Sequence, residues 1–248
     1  MVIIRRKQVE DLKTSRQLSF ESRLGQHLTS LFPHHLKSMS QPELTAVVRF
    51  CAGKAAVYGF VTESAVARYS ELMCYFGAHF DSDPQAIWAR SILDQPGDAG
   101  ACSTALYEAG MRFWGEIAGP DNTYLRAAMK RLQGDPLPLL RSALEPSPET
   151  GLPDTLMRLY PEKAERLGRD LLNGLLQLGR KQAAGHGLTS SPGVVLFTGL
   201  MFALGSGFSE DPILPWTQEA LKAPAASGER ERVSRLLEQA QAFLGRWS

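Results

Sequence analysis

The chain repeats itself. Displaced by 128 positions, residues 28–93 lie over 156–221 without a gap, and 16 of the 66 aligned positions are identical. The identities are Leu28, Leu31, Pro33, Leu44, Ala55, Ala56, Gly59, Val66, Leu72, Met73, Gly77, Phe80, Asp83, Pro84, Trp88 and Leu93. Other positions change only within the apolar class, such as Tyr69 to Phe197 and Phe76 to Leu204. Ungapped agreement of this extent predicts two copies of one supersecondary unit, and such a repeat constrains the fold more than any single residue does. The shared residues are mostly apolar, Gly or Pro, which a common fold retains and a common catalytic site does not require.

Each unit reads as helices. Phe20, Leu24, Leu28 and Leu31 form one face of a helix that runs from about Gln8 and stops before Pro33. Leu44, Val47, Val48, Cys51, Ala55 and Tyr58 mark a second helix closed by Gly59, and its copy from Leu172 to His186 closes at Gly187. A third helix, with Val66, Tyr69, Leu72, Met73 and Phe76 on its inner face, is capped by Thr62, or by Ser191 ahead of Pro192 in the copy. It closes at Gly77 or Gly205.

Both copies then read Gly-x-x-Phe-x-x-Asp-Pro-x-x-x-Trp, as Gly77, Phe80, Asp83, Pro84 and Trp88, and as Gly205, Phe208, Asp211, Pro212 and Trp216. The aspartates are expected to accept backbone N–H bonds at the start of a fourth, short helix whose first residue is the proline and which ends near Leu93 or Leu221. The tryptophan, one turn on, is expected to seal the bundle over Phe80 or Phe208. Residues 101–117 and 123–132 add two helices expected to complete the first bundle, and residues 229–247 form an amphipathic last helix. Pro146, Pro148, Gly151 and Pro153 mark a linker, which would leave the second unit with a lost or shortened first helix. The division expected is 1–135 for unit one, 136–149 for the linker and 150–248 for unit two. No alternating β-branched run with hairpin turns occurs, so the fold class is all-α, two pseudo-symmetric helical bundles.

Composition excludes several functions. With 27 Lys and Arg against 26 Asp and Glu, the net charge of +1 offers no overall basic footprint for nucleic acid. Three cysteines, Cys51, Cys74 and Cys102, have no C-x-x-C spacing, which argues against a disulfide framework or a cysteine zinc site and fits a cytoplasmic location. The apolar start of four residues is far too short for a signal peptide. Residues 182–209 carry no charge, but His186, Pro192 and several glycines interrupt them, and the aligned stretch of unit one carries Glu63, Arg68 and Glu71; a buried helix is expected, not membrane insertion.

Chemistry-bearing patterns are sparse. Asp81 and Asp83 have a D-x-D spacing, but Asp81 becomes Ser209, so a cap is expected and not a metal site. His34 and His35, replaced by Glu162 and Lys163, read as solvated loop positions. No nucleophile or metal motif is present, and no cofactor is expected. Glu71, opposite Gly199, and Glu108 are the carboxylates an enzyme would use.

The opening Ile-Ile-Arg-x-x-Gln at residues 3–8, the Leu-Phe-Pro at 31–33 and the Leu-Met-x-x-x-Gly-x-x-Phe-x-x-Asp-Pro-x-x-x-Trp at 72–88 resemble a group of uncharacterised bacterial proteins encoded in type VI secretion effector and spike gene clusters. The likeness covers residues 1 to about 95, recurs in part at 200–216, and departs at Cys74 and Tyr75. It transfers no catalytic residue. It implies a cytoplasmic adaptor or chaperone for a secreted effector or spike, or a cognate immunity protein. The sequence reading is thus a non-enzymatic protein-binding module, with Tyr107, Arg112 and Tyr124 as candidate partner contacts. A helical enzyme or small-molecule binder with a cleft between the units is the alternative.

Overall fold

Helix α1 (Arg6–Leu31) stops ahead of Pro33, which opens the single turn α2 (Pro33–Leu36). Ser40 N donates to Glu43 Oε2 at 2.7 Å to start α3 (Gln41–Val57), and Gly59, at φ +72°, turns the chain away from it. Thr62 Oγ1 accepts from Ala65 N at 3.3 Å to cap α4 (Glu63–Phe76), which leads through a 3₁₀ turn to α5 (Ile87–Leu93) and then to α6 (Ala99–Ala118). The chain continues with α7 (Thr123–Gln133), α8 (Pro136–Leu144), α9 (Pro148–Leu159), α10 (Pro161–Leu167), α11 (Arg169–Gly185), α12 (Ser191–Leu204), α13 (Pro215–Leu221) and α14 (Glu229–Leu244). The computed structural model describes residues 6–133, 136–222 and 228–245, with side chains placed over 15–132, 138–222 and 228–245. Residues 3–5 of the opening motif and Trp247 lie outside the described residues.

The fold is all-α, with no strand among the described residues. Element boundaries follow the offset of the sequence repeat: α3 and α11, α4 and α12, and α5 and α13 each span the same residues displaced by 128. One core, around Leu28, Val48, Tyr69, Leu72, Met73 and Phe80, is built by α1–α5 and the start of α6. The other, around Leu156, Leu172, Leu176, Phe197, Phe202 and Phe208, is built by the end of α6 and by α7–α14. Each fully buried Leu or Phe contributes about 1.5–3 kcal/mol relative to exposure.

Several boundaries differ from the sequence reading. The expected linker at 136–149 is mostly helix α8, because Leu139, Leu140 and Ala143 have an apolar face to bury against the second core. Pro136 and Pro148 open α8 and α9, where their missing N–H groups cost nothing, while Pro146 lies between the two helices and Pro153 within α9. Gly151 is likewise a packing residue: a Cβ there would stand 2.5 Å from Glu145 O and 2.6 Å from Ser142 O. Helix α7 does not complete the first bundle, since Leu125, Ala128 and Met129 belong to the second core. Helix α12 is capped by Ser190, whose Oγ accepts from Gly193 N at 3.3 Å, and Ser191 is its first residue. The uncharged stretch forms the buried α12 and its flanks, and among the described residues no helix is long and apolar enough to cross a membrane.

Candidate functional site

The two Gly-x-x-Phe-x-x-Asp-Pro motifs meet. Gly77 and Gly205 end α4 and α12 at φ +94° and +100°, a region that side chains rarely adopt. Their backbones touch: a Cβ on Gly77 would lie 2.7 Å from Leu204 O, and one on Gly205 would lie 2.7 Å from Phe76 O. This close approach brings each aspartate within reach of the other unit. Asp83 Oδ1 accepts from Gln85 N at 2.8 Å while its Oδ2 accepts from Ser206 N at 2.7 Å. Asp211 does the same in reverse, Oδ1 from Ile213 N at 2.7 Å and Oδ2 from Ala78 N at 2.8 Å. Each aspartate thus caps its own turn with one oxygen and the opposite unit's helix exit with the other. Such reciprocity is what an isologous interface between two copies would show.

The seam is dry. Burial pushes the Asp211 carboxyl up to about 6, against the lowering by the Ala78 and Ile213 amides. Ile213 crosses into the first core, and Gln85, at the equivalent position, donates from Nε2 to Met201 O at 2.8 Å in the second.

The prolines do not begin α-helices. Pro84 opens a 3₁₀ turn and α5 starts at Ile87, while Pro212 precedes α13 by three residues, because the aspartate caps a tight turn first. Trp88 stacks on Phe80 with centroids 6.0 Å apart and planes at 17°. Trp216 instead stacks on Phe243 of α14 at 5.5 Å, and Phe208 pairs with Phe197. The last helix thus takes the ring expected over Phe208.

Beside the seam lies a cavity of about 330 Å³ between the units. Phe32, Tyr75, Phe76, Phe113 and Trp114 wall it from the first half, and Tyr160, Leu204, Leu214 and Phe243 from the second. His35 and Lys163 both line it, at equivalent positions of α2 and α10. The expectation of solvated loop histidines holds for His34, which is exposed, but not for His35, whose ring packs against Phe32 and Phe243. Burial, with the neighbouring His34 charge, lowers His35 to about 4, so it is neutral at pH 7. Lys163 Nζ donates to Phe202 O at 2.5 Å and sits 5.1 Å from the Phe202 ring centroid; burial lowers it to about 8, with Asp83 acting the other way. Sequence reasoning missed this pair because a His-to-Lys exchange also suits solvent. The available signal was that both copies place a basic side chain two residues after the retained proline.

Of the other candidates, some are tied into the bundle and some are exposed. Glu71 accepts from Tyr107 OH at 2.7 Å and pairs with His27 Nε2 at 2.7 Å, so Tyr107 is held within the bundle. Arg112, Tyr124 and Glu108 are exposed. Asp81 Oδ2 gathers Lys54 Nζ at 2.7 Å and the hydroxyls of Tyr58 and Tyr69, each at 2.9 Å. Burial alone would raise its carboxyl, but the Lys54 and Tyr58 hydrogen bonds and the Lys54 charge hold it below the usual range. In unit two these four positions are Gln182, His186, Phe197 and Ser209, so the network is replaced as a whole. Burial pushes the Cys51 thiol up to about 12 and raises Cys74 well above the ordinary thiol, which leaves neither a ready nucleophile. Among the described residues, no group of three or more His, Cys, Asp or Glu is placed to hold a metal ion.

No family model, curated protein or solved structure matches the chain.

Proposed function

We propose that the chain is a non-enzymatic binding protein, acting as an adaptor or chaperone for a type VI secretion effector or spike. The observation that supports this reading is the engagement of its carboxylates. Asp83 and Asp211 are bound to backbone amides across the seam, Asp81 holds a lysine and two tyrosines, and Glu71 holds His27 and Tyr107. Groups committed to joining helices are poorly placed for acid–base work, whereas a rigid scaffold suits recognition. The secretion context comes from the resemblance of residues 72–88.

The test is an affinity pull-down of the tagged chain from its native host with the secretion system active. One spike or toxin recovered at near-stoichiometric yield, dependent on the full chain, is the expected outcome. Growth assays with that toxin then separate an adaptor from an immunity protein. Recovery of no secretion component would reject the adaptor reading.

A second reading, a small-molecule binder with its site between the units, is favoured by the cavity that both halves wall. Its volume is at the lower end of the range for ligand pockets, and its lining mixes aromatic rings with a few polar groups, as such pockets do.

A further inference from the structure

We propose that the cavity between the two units binds a small apolar carboxylate through Lys163. The inference rests on the second reading above and names the chemistry of its ligand.

An ammonium group carries three donors. Lys163 uses one on Phe202 O, and no carboxylate among the described residues comes within ion-pair distance of it. Asp83 acts on it through space, but both Asp83 oxygens already accept amide N–H groups, from Gln85 and from Ser206. Lys163 is half-buried, and an ammonium held against apolar groups is costly unless its charge and donors are answered. Here the side chain lines a cavity of about 330 Å³, and the answering group can come from a ligand.

The walls define the rest of that ligand. Phe32, Tyr75, Phe76 and Trp114 line the same cavity from the other unit, and Tyr160 is tied down by its own bond to Ile117 O at 2.7 Å. His35, at the position equivalent to Lys163, is neutral at pH 7 and adds no second cation. Asp83 and Asp211, also on the lining, each have both oxygens turned onto backbone amides of the seam. With the two aspartates committed to seam amides, the one cation with spare donors among aromatic walls selects a molecule with a single anionic end and an apolar body. The volume limits it to a short acyl or single-ring compound.

The experiment is isothermal titration calorimetry on the full chain at pH 7 with two matched pairs, octanoate against octan-1-ol and 3-phenylpropionate against 3-phenylpropan-1-ol. At least one carboxylate is expected to bind about tenfold or more tightly than its alcohol, the worth of a charge-assisted hydrogen bond. Lys163→Met and Lys163→Gln, each checked for an unchanged circular dichroism spectrum, are expected to lose that preference while retaining alcohol binding. If alcohol and acid bind equally, or if the preference survives both folded variants, the assignment to Lys163 fails while the cavity reading stands. If neither member of either pair binds, both fail.

Discussion

At the scale of single residues, what decides the role of a titratable group is whether its partners are local or distant. Asp83 Oδ1 on Gln85 N is a bond between residues two apart, and the Asp-Pro spacing announces it. Asp83 Oδ2 on Ser206 N spans 123 positions, and nothing near Asp83 in the sequence points to it. The same division governs pH dependence. His35 falls from 6.5 to about 4 on folding, so the unfolded chain binds more protons between those values, and stability is lost as pH falls from about 6.5 towards 4. Asp211 rises from 3.8 to about 6, so the folded chain binds more protons there, and its contribution is present at low pH and lost as pH rises through about 6. The two slopes oppose each other, each at most about 1.4 kcal/mol per pH unit. Removing one should expose the other: urea denaturation of His35→Gln between pH 4.5 and 6 is expected to show stability falling with pH relative to wild type. A variant that parallels wild type over that range would mean that His35 is not held neutral by burial.

At the scale of elements, the sequence was most legible where a boundary is set by its own residues. Gly59, Thr62 and Gly77 stop and start helices through their own backbone or side chains, and the structure ends α3 and starts α4 beside them. It was least legible where one residue type serves two purposes. Proline and glycine at 146–153 read equally as a linker and as the turn out of α8, the entry of α9 and their crossing point, and only the apolar face of Leu139, Leu140 and Ala143 decides between them. Helix crossings show the same dependence on a partner. Gly179 lets α11 lie against α12 so closely that a Cβ would fall 2.0 Å from Thr198 Oγ1, whereas unit one places Cys51 opposite Ser70. The prediction is that Gly179→Ala destabilises by about 1–3 kcal/mol through overpacking. Adding Thr198→Ala should recover part of that loss, giving a non-additive cycle in urea melts. Additive losses would place the strain somewhere other than this crossing.

At the scale of the molecule, two cores could behave as two domains or as one, and the seam determines which. Ile213 belongs to the second half by sequence and to the first core by position, and α6 runs from Leu106 in the first core to Ala118 in the second. Two aspartates, both buried, exchange backbone hydrogen bonds between the halves at 2.7 and 2.8 Å. Opening the seam would therefore strand buried amides as well as expose Ile213, and neither half can shed the other without disrupting its own core. Wild-type protein is expected to unfold in a single calorimetric transition with matching van't Hoff and calorimetric enthalpies. Asp83→Ala and Asp211→Ala each leave two amide donors unanswered, at about 1–3 kcal/mol per stranded group. Combined, they should lower the melting temperature sharply and broaden or split the transition, because the bonds removed are the ones that couple the halves. Two resolved transitions in the wild type, or a double variant that melts like it, would show that the halves fold independently and that the reciprocal aspartates serve only their own turns.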